Sequence, residues 1–293
     1  MDGTTMADSG SGGSAGGSGA SADEEIARLH EEMRQLRAMA RNRPLVAHAQ
    51  GILRERYRLT DAESAFTLLR QASQHHNVKL HTLADAVTKA PRPADGTPLW
   101  FPGRARHAPP GLTLLSLDGA ARADRGAVLG TALSTCLEIT GTDMGNVQLM
   151  DRSRTGLRIA KHTGLGAEFV SFFDHVGVTE PGTSCGRAAR DIDQVTVRDV
   201  ATDPVFTEES RRVILTAGSR ACHSVPLTTD GGECVGMVSA HMSRPIKGLS
   251  KAGTDALAHV GRQVANWLSW YDRTIVLDAL EFLHASALRA RGA

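Results

Sequence analysis

The stretch "APRPADGTPLWFPGRARHAPPG", Ala90 to Gly111, is the feature that most constrains the fold. Its prolines lock φ and remove backbone donors, so neither a helix nor a sheet ladder can run through it. Two separate patterns must therefore fold on either side of it. Residues 91–112 are expected to form a semi-stiff linker. Only "LWF" (Leu99 to Phe101) offers apolar surface, and it is expected to dock on a domain. The chain's 293 residues leave room for two modest domains.

Upstream, every pattern is helical. Residues 1–22 are rich in Gly, Ser and Ala and have almost nothing to bury, so a disordered leader is expected there. Over residues 23–43, Ile26, Leu29, Met33, Leu36 and Ala40 recur at alternating three- and four-residue steps, a short coiled-coil seam. A lone helix of this length is marginal in water, so the seam calls for a partner helix. Pro44 starts a new helix or kinks the old one. Leu45, Ala49, Ile52 and Leu53 then share a face, with Gly51 expected at a close helix approach. "TDAE" predicts a capping box with Thr60 as N-cap and Glu63 three residues on. The next helix carries Ala62, Ala65, Phe66, Leu69 and Ala72 inward, and Asn77 suits its left-handed stop. Leu80, Leu83, Ala84 and Val87 form a last short helix. The result is a small all-α three-helix bundle, close to the size at which dimerisation helps.

Downstream, helix and strand signals alternate. A helix is predicted over 124–140, and strands over 146–151, 156–163, 194–200, 221–227 and 233–242. Helices are expected near 167–175 and 184–190 and after Pro204. "TTDGGE" predicts a hairpin between the last two strands. A long helix from about Ser250 repeats Leu257, Val260, Val264, Leu268, Tyr271 and Ile275. This half, 113–272 with a C-terminal helix and tail over 273–293, is α+β: an antiparallel sheet flanked by helices.

Net charge is +1, so any basic patch is local. Residues 41–90 hold eight Lys/Arg against four Asp/Glu. No apolar run approaches the roughly 20 residues of a bilayer span. The opening "MDGTTMADSG" has no secretory pattern, so cytoplasmic location and no membrane partner are expected. Cys136, Cys185, Cys222 and Cys234 lack metal-site or framework spacing. No P-loop, HExxH or nucleophile–base set is present, and a non-enzymatic role is expected. No pattern names a cofactor.

The helical half resembles the ANTAR domain, the RNA-binding antitermination module of bacterial regulators, over about 37–90. "AQGIL" (Ala49 to Leu53), "ESAF" (Glu63 to Phe66), "LLRQAS" and "NVKLHTLADAV" carry the resemblance, with Gln50 where the family often has lysine. The second half is similar to a GAF domain, on "GNVQLMD", "FFDHV", "GTSCGRA", "VRDVATDPVF", "ACHSVPL" and "GECVGMVSAHM". The usual order, ANTAR after its sensor, is reversed here.

The resemblance implies RNA as partner, in the form of tandem hairpins in mRNA leaders gripped by a homodimer, and an unidentified small-molecule or redox signal at the GAF domain. Arginine and lysine neutralise phosphates, while amides, hydroxyls and planar groups read unstacked loop bases. Candidate RNA contacts are Arg54, Arg56, Arg70, Ser73, Gln74, His76, Asn77, Lys79 and Thr82, at the elbow where two helices meet. From the residues alone, a solvated helix face with no ligand remains the alternative. His75 and His76 diverge by about 100° on a helix, a poor pair of metal ligands. Candidate signal-binding residues are Gln148, Phe169, Phe172, Phe173, Cys185, Val200, Phe206, Ser224 and Ser239: an apolar wall with a few polar groups, which is also how a plain core looks.

A second function class competes. Cys185 at a helix N-terminus resembles the "CG-A" cysteine of the GAF-fold free methionine sulfoxide reductase. That family needs another cysteine near Glu208, where this chain reads "TDPVFTEES". Redox sensing through Cys185 with Cys222 or Cys234, or haem or metal at His223 or His241, would make the helical half only a dimeriser.

Overall fold

The computed structural model describes residues 17–94, 96–151, 156–179 and 182–292. The first element, α1 (Gly17–Tyr57), is one continuous helix. It begins six residues inside the stretch expected to be disordered; residues 1–16 lie outside the described part. Once a helix exists, each added residue gains a hydrogen bond, so Ala20 and Ala22 extend what nucleates downstream. Pro44 starts no new helix and lies inside α1, at the expense of one ladder bond. Ile26's side chain lies outside the described residues. Leu29, Met33 and Leu36 of the seam are 46, 43 and 65 % exposed, and Met39 beside them 60 %.

The elements α2 (Ala62–His75) and α3 (Leu80–Lys89) fold back on the end of α1. Asp61, not Thr60, caps α2: its carboxylate accepts from Ser64 N at 2.7 Å, while the Thr60 hydroxyl donates to Asp61. A full negative charge is the better acceptor at the positive end of a helix. Asn77 takes the expected left-handed turn at φ 50°. Gly51 is a correction: it is exposed, and a Cβ there would meet nothing within 4 Å. Ala49, Leu53, Tyr57, Ala65, Leu69, Ala72, Leu83, Ala84 and Val87 fill the bundle's core.

The second half runs α4 (Arg125–Thr140), β1 (Met144–Asp151), β2 (Gly156–Thr163), α5 (Ala167–Phe172), β3 (His175–Gly177), α6 (Ser184–Asp191), β4 (Val195–Val197), α7 (Glu208–Thr216), β5 (Ala221–Thr228), β6 (Cys234–Met242) and α8 (Lys251–Tyr271). Six strands lie in the order β3-β2-β1-β6-β5-β4 with every neighbouring pair antiparallel. This is the expected α+β layout, with the "TTDGGE" hairpin where predicted. Two differences stand out. The helix expected to reach His175 stops at Phe172, and His175 begins a short strand. The strand expected over 194–200 pairs only over β4.

Register sorts the sheet's side chains into two faces. Val147, Val238, Ala240, Val225 and Leu227 face a core shared with α4 and α8. Gly261 lets α8 approach closely: a Cβ there would lie 2.8 Å from Pro226 O. Leu157, Met237 and Cys222 turn the other way, under α5, α6 and α7.

The C-terminus departs most from expectation. A π-helical turn (Asp272–Val276) ends α8, and α9 (Leu277–Gly292) leaves the sheet to pack on α2 and α3. Leu280, Leu283 and Ala287 are fully buried there, so α9 acts as a fourth helix of the N-terminal bundle. The Pro-rich segment straps this together. Trp100 is buried, with its backbone N and that of Phe101 each donating to the Glu281 carboxylate at 2.8 Å. Arg104 pairs with Asp278 and donates to the carbonyls of Arg273 and Thr274 in the π turn. Of "LWF", Trp100 docks and Leu99 stays 52 % exposed.

Candidate functional site

The elbow between α2 and α3 brings the candidate RNA contacts together and divides them into two sets. Arg54, Arg70, Gln74 and Lys79 are exposed. The others have partners within the chain. Arg56 is half-buried with its guanidinium 4.6 Å over the Trp100 ring. Ser73 donates to Val78 O at 2.6 Å, tightening the turn. His75 stacks on Phe282 of α9 at 4.3 Å between ring centroids, and His76 meets the same ring edge-on. Burial, and then the neighbouring His75, hold the His76 imidazole below its usual pKa.

Asn77 is the hinge of the contact. Its side-chain amide donates to Asp124 Oδ2 at 2.9 Å, and its carbonyl accepts from the Tyr271 hydroxyl at 3.3 Å. Asp124 is also the N-cap of α4, through Ala127 N at 2.6 Å. Arg125 donates to the Thr82 hydroxyl at 3.4 Å. The first turn of α4 and the last residue of α8 thus hold the elbow from the sheet domain's side. A polar i-to-j partnership across 47 residues leaves no local signature, and sequence reasoning missed Asp124, Arg125 and Tyr271 for that reason.

In the sheet domain, the inner face gathers most of the candidate signal-binding residues. Phe169 lies 4.6 Å from Phe173 and Phe172 4.8 Å from Phe173 between centroids. Cys185, Val200 and Phe206 join the same buried cluster. A hydroxyl chain crosses the face: Ser184 Oγ lies 3.1 Å from Ser224 Oγ, which lies 3.0 Å from Ser239 Oγ. Cys222 Sγ ends the chain 3.3 Å from Ser184 Oγ. Gln148 and Asn146 stand two residues apart on β1 and so share this face; both are buried, and neither Gln148 Oε1 nor Asn146 Oδ1 has a hydrogen-bond partner. Asn146 was missed, although alternation from Gln148 along a strand would have found it.

The thiols are poorly suited to redox chemistry. Burial pushes Cys136 and Cys222 up to about 12 and raises Cys185 and Cys234 as well, so little reactive thiolate exists at neutral pH. At Cys185, desolvation outweighs any lowering by the helix terminus. The two strand histidines are likewise engaged. His223 has Nδ1 2.8 Å from Thr196 Oγ1 and Nε2 2.7 Å from Gln194 Oε1; His241 Nδ1 lies 3.0 Å from Ser219 Oγ. Burial lowers both to about 4, so both rings are neutral. Among the described residues no three His, Cys, Asp or Glu side chains group as metal ligands. No described helix is long and apolar enough to cross a membrane.

Comparison with known proteins gives two family matches: the ANTAR domain over residues 34–87 and the GAF domain over residues 124–268. No curated protein matches the chain. Similar solved structures include the GAF domain/HD domain protein from Geobacter sulfurreducens (18 % identity, 51 % of this chain and 95 % of that one, TM-score 0.43). Another is the GAF domain from Acinetobacter phosphoenolpyruvate-protein phosphotransferase (13 %, 70 % and 93 %, TM-score 0.41). A third is free methionine-R-sulfoxide reductase from Neisseria meningitidis (17 %, 57 % and 96 %, TM-score 0.40). The chain thus carries an ANTAR domain followed by a GAF domain.

Proposed function

We propose that this chain binds hairpin loops in mRNA leaders through its ANTAR bundle, as an antitermination or translation regulator, and that the GAF domain controls that binding. The observation that carries this reading is the seating of Asn77 between Asp124 and Tyr271. The elbow that bears Arg70, Gln74 and Lys79 is thereby tied to the first turn of α4 and the end of α8. A ligand that shifts either helix must move the elbow, and it can do so only by its differential affinity for the two arrangements.

The reading puts the signal on the inner face of the sheet, where Gln148 and Asn146 each bury an amide oxygen. Two buried amide oxygens without partners are costly unless something donates to them. The wall is otherwise aromatic rings, hydroxyls and neutral thiols, which suits a small uncharged molecule that donates hydrogen bonds. The homodimer is supported by the exposed apolar row of α1. A second copy placing its own row there would carry a second elbow, matching two hairpins in tandem.

Mobility-shift titration of the full chain against a two-hairpin leader RNA, a one-hairpin fragment and a scrambled control tests this. Preference for the two-hairpin RNA, weakened by Arg70→Ala, is expected. Equal, weak binding to all three RNAs would overturn the reading.

A further inference from the structure

A cluster of positive groups lies across the junction of the two domains. Lys79 immediately precedes α3, Arg125 opens α4, and Lys161 stands on β2 beside α4. Arg125 reaches across the junction to Thr82, which fixes its guanidinium beside the elbow. Lys79 and Lys161 are exposed, and none of the three cations is held in an ion pair among the described residues. Their mutual proximity has an electrostatic trace. Partial desolvation, then the charges of Arg125 and Lys161, hold the Lys79 ammonium below its usual pKa. His81 is lowered in the same way, by burial first and then by Lys79 and Arg125.

The acids nearby offset only part of this charge: Asp124 favours the Lys79 ammonium but supplies one negative charge against three positive ones. Both oxygens of Asp124 are already committed, to Ala127 N and to Asn77. Asp85 is paired with Lys89 at 2.5 Å. Three cations left mutually repelling, with one acid among them, form a surface that gains from a polyanion. Docking of the elbow is what brings them together, since two of the three belong to the GAF domain.

We infer that Arg125 and Lys161 of the GAF domain extend the RNA-binding surface of the ANTAR elbow, forming with Lys79 one phosphate-contacting patch that spans both domains. This rests on the RNA-binding reading above and adds to it. The sensor then acts on RNA in two ways, by placing the elbow and by supplying part of the contact. Such contacts position the nucleic acid and carry no sequence information.

The test measures affinity of the full-length chain for the two-hairpin RNA as a function of salt. Lys161→Gln and Arg125→Gln are each expected to make log K against log [salt] shallower by about one, as Lys79→Gln does. The loss is expected to be the same for any RNA sequence. Arg125→Lys, which keeps the charge, is expected to restore the slope and so separates charge from the Thr82 bond. Lys251→Gln, on the far α8 terminus, is expected to leave it unchanged. A wild-type slope in Lys161→Gln and Arg125→Gln, with a reduced one in Lys79→Gln, would overturn the composite surface and leave the ANTAR reading intact. A wild-type chain that shows no preference for the two-hairpin RNA over scrambled RNA would overturn both.

Discussion

The first and last helices of the described residues, α1 and α9, each carry a row of apolar side chains, and the two rows have opposite fates. The apolar face of α9 is fully buried at Leu280 and Leu283 against the bundle of its own chain. The apolar row of α1 ahead of Pro44 stays open, with Leu36 65 % exposed. A helix gains its stability from what its face packs on, not from the face itself. α9 is delivered to the bundle by the π turn after α8 and held by Glu281 and Asp278 against the Trp100–Arg104 strap. Over the first half of α1 the described large apolar side chains, Leu29, Met33, Leu36 and Met39, stay exposed, which is the condition under which a helix seeks a second chain.

Several measurements break or sharpen this contrast. Leu283→Ala is expected to cost about 2–5 kcal/mol, read as a lower denaturation midpoint, because it empties a site at the junction of α9 and the bundle. A loss under about 0.5 kcal/mol would show that α9 is not part of the core. Acid addresses the sheet that connects the two ends. His223 and His241 titrate near 4 in the folded chain against 6.5 in the open chain. Between those values the unfolded state takes up more protons, so stability is full above about 6.5 and falls as pH drops toward 4, by up to about 3 kcal/mol per histidine. Urea melts at pH 7 and 4.5 check this; equal midpoints would contradict it.

Asn77→Gly keeps the left-handed turn and removes the amide bond to Asp124, so a loss of about 1 kcal/mol is expected in the same melts. RNA affinity should respond in that variant as well, since the elbow is then held only by the Tyr271 and Arg125 contacts. The smallest stability change belongs to the other helix. At chain concentrations low enough for the parent to be monomeric, Met33→Lys with Leu36→Lys is expected to shift the melt by less than about 0.5 kcal/mol, because both side chains are in solvent within one chain. Sedimentation of that variant should nevertheless report a monomer where the parent chain reports a dimer. A parent chain that sediments as a monomer would break the dimer proposal at once.

Much of the fold was legible locally. The period-2 runs at 156–163 and 221–227 and the "DGG" turn specify strands and a hairpin because side-chain alternation and turn chemistry act over a few residues. Asn77 declared its left-handed turn for the same reason. The candidate signal residues were half legible. Phe169, Phe173, Cys185 and Phe206 cluster as any apolar set would, and alternation from Gln148 pointed to Asn146, but Ser184 required the packing of α6 on β5. The elbow was legible as an elbow and not as an interface. Asp124 looks in sequence like an ordinary helix cap, and its second oxygen on Asn77 belongs to a contact 47 residues away.

By itself, the sequence determined which segments are helix or strand, the division into two patterned halves and the identity of the two domains, since each rests on interactions within a few turns or a few strands. Only tertiary structure decided that α9 returns to the first bundle, that the Pro-rich segment is a strap, and that Lys79, Arg125 and Lys161 share one surface. Periodicity says that a face will be buried; it does not say against what. That choice is made by packing between segments as much as 227 residues apart, such as Tyr57 with His284 at 2.7 Å, where complementarity and not local pattern selects the partner.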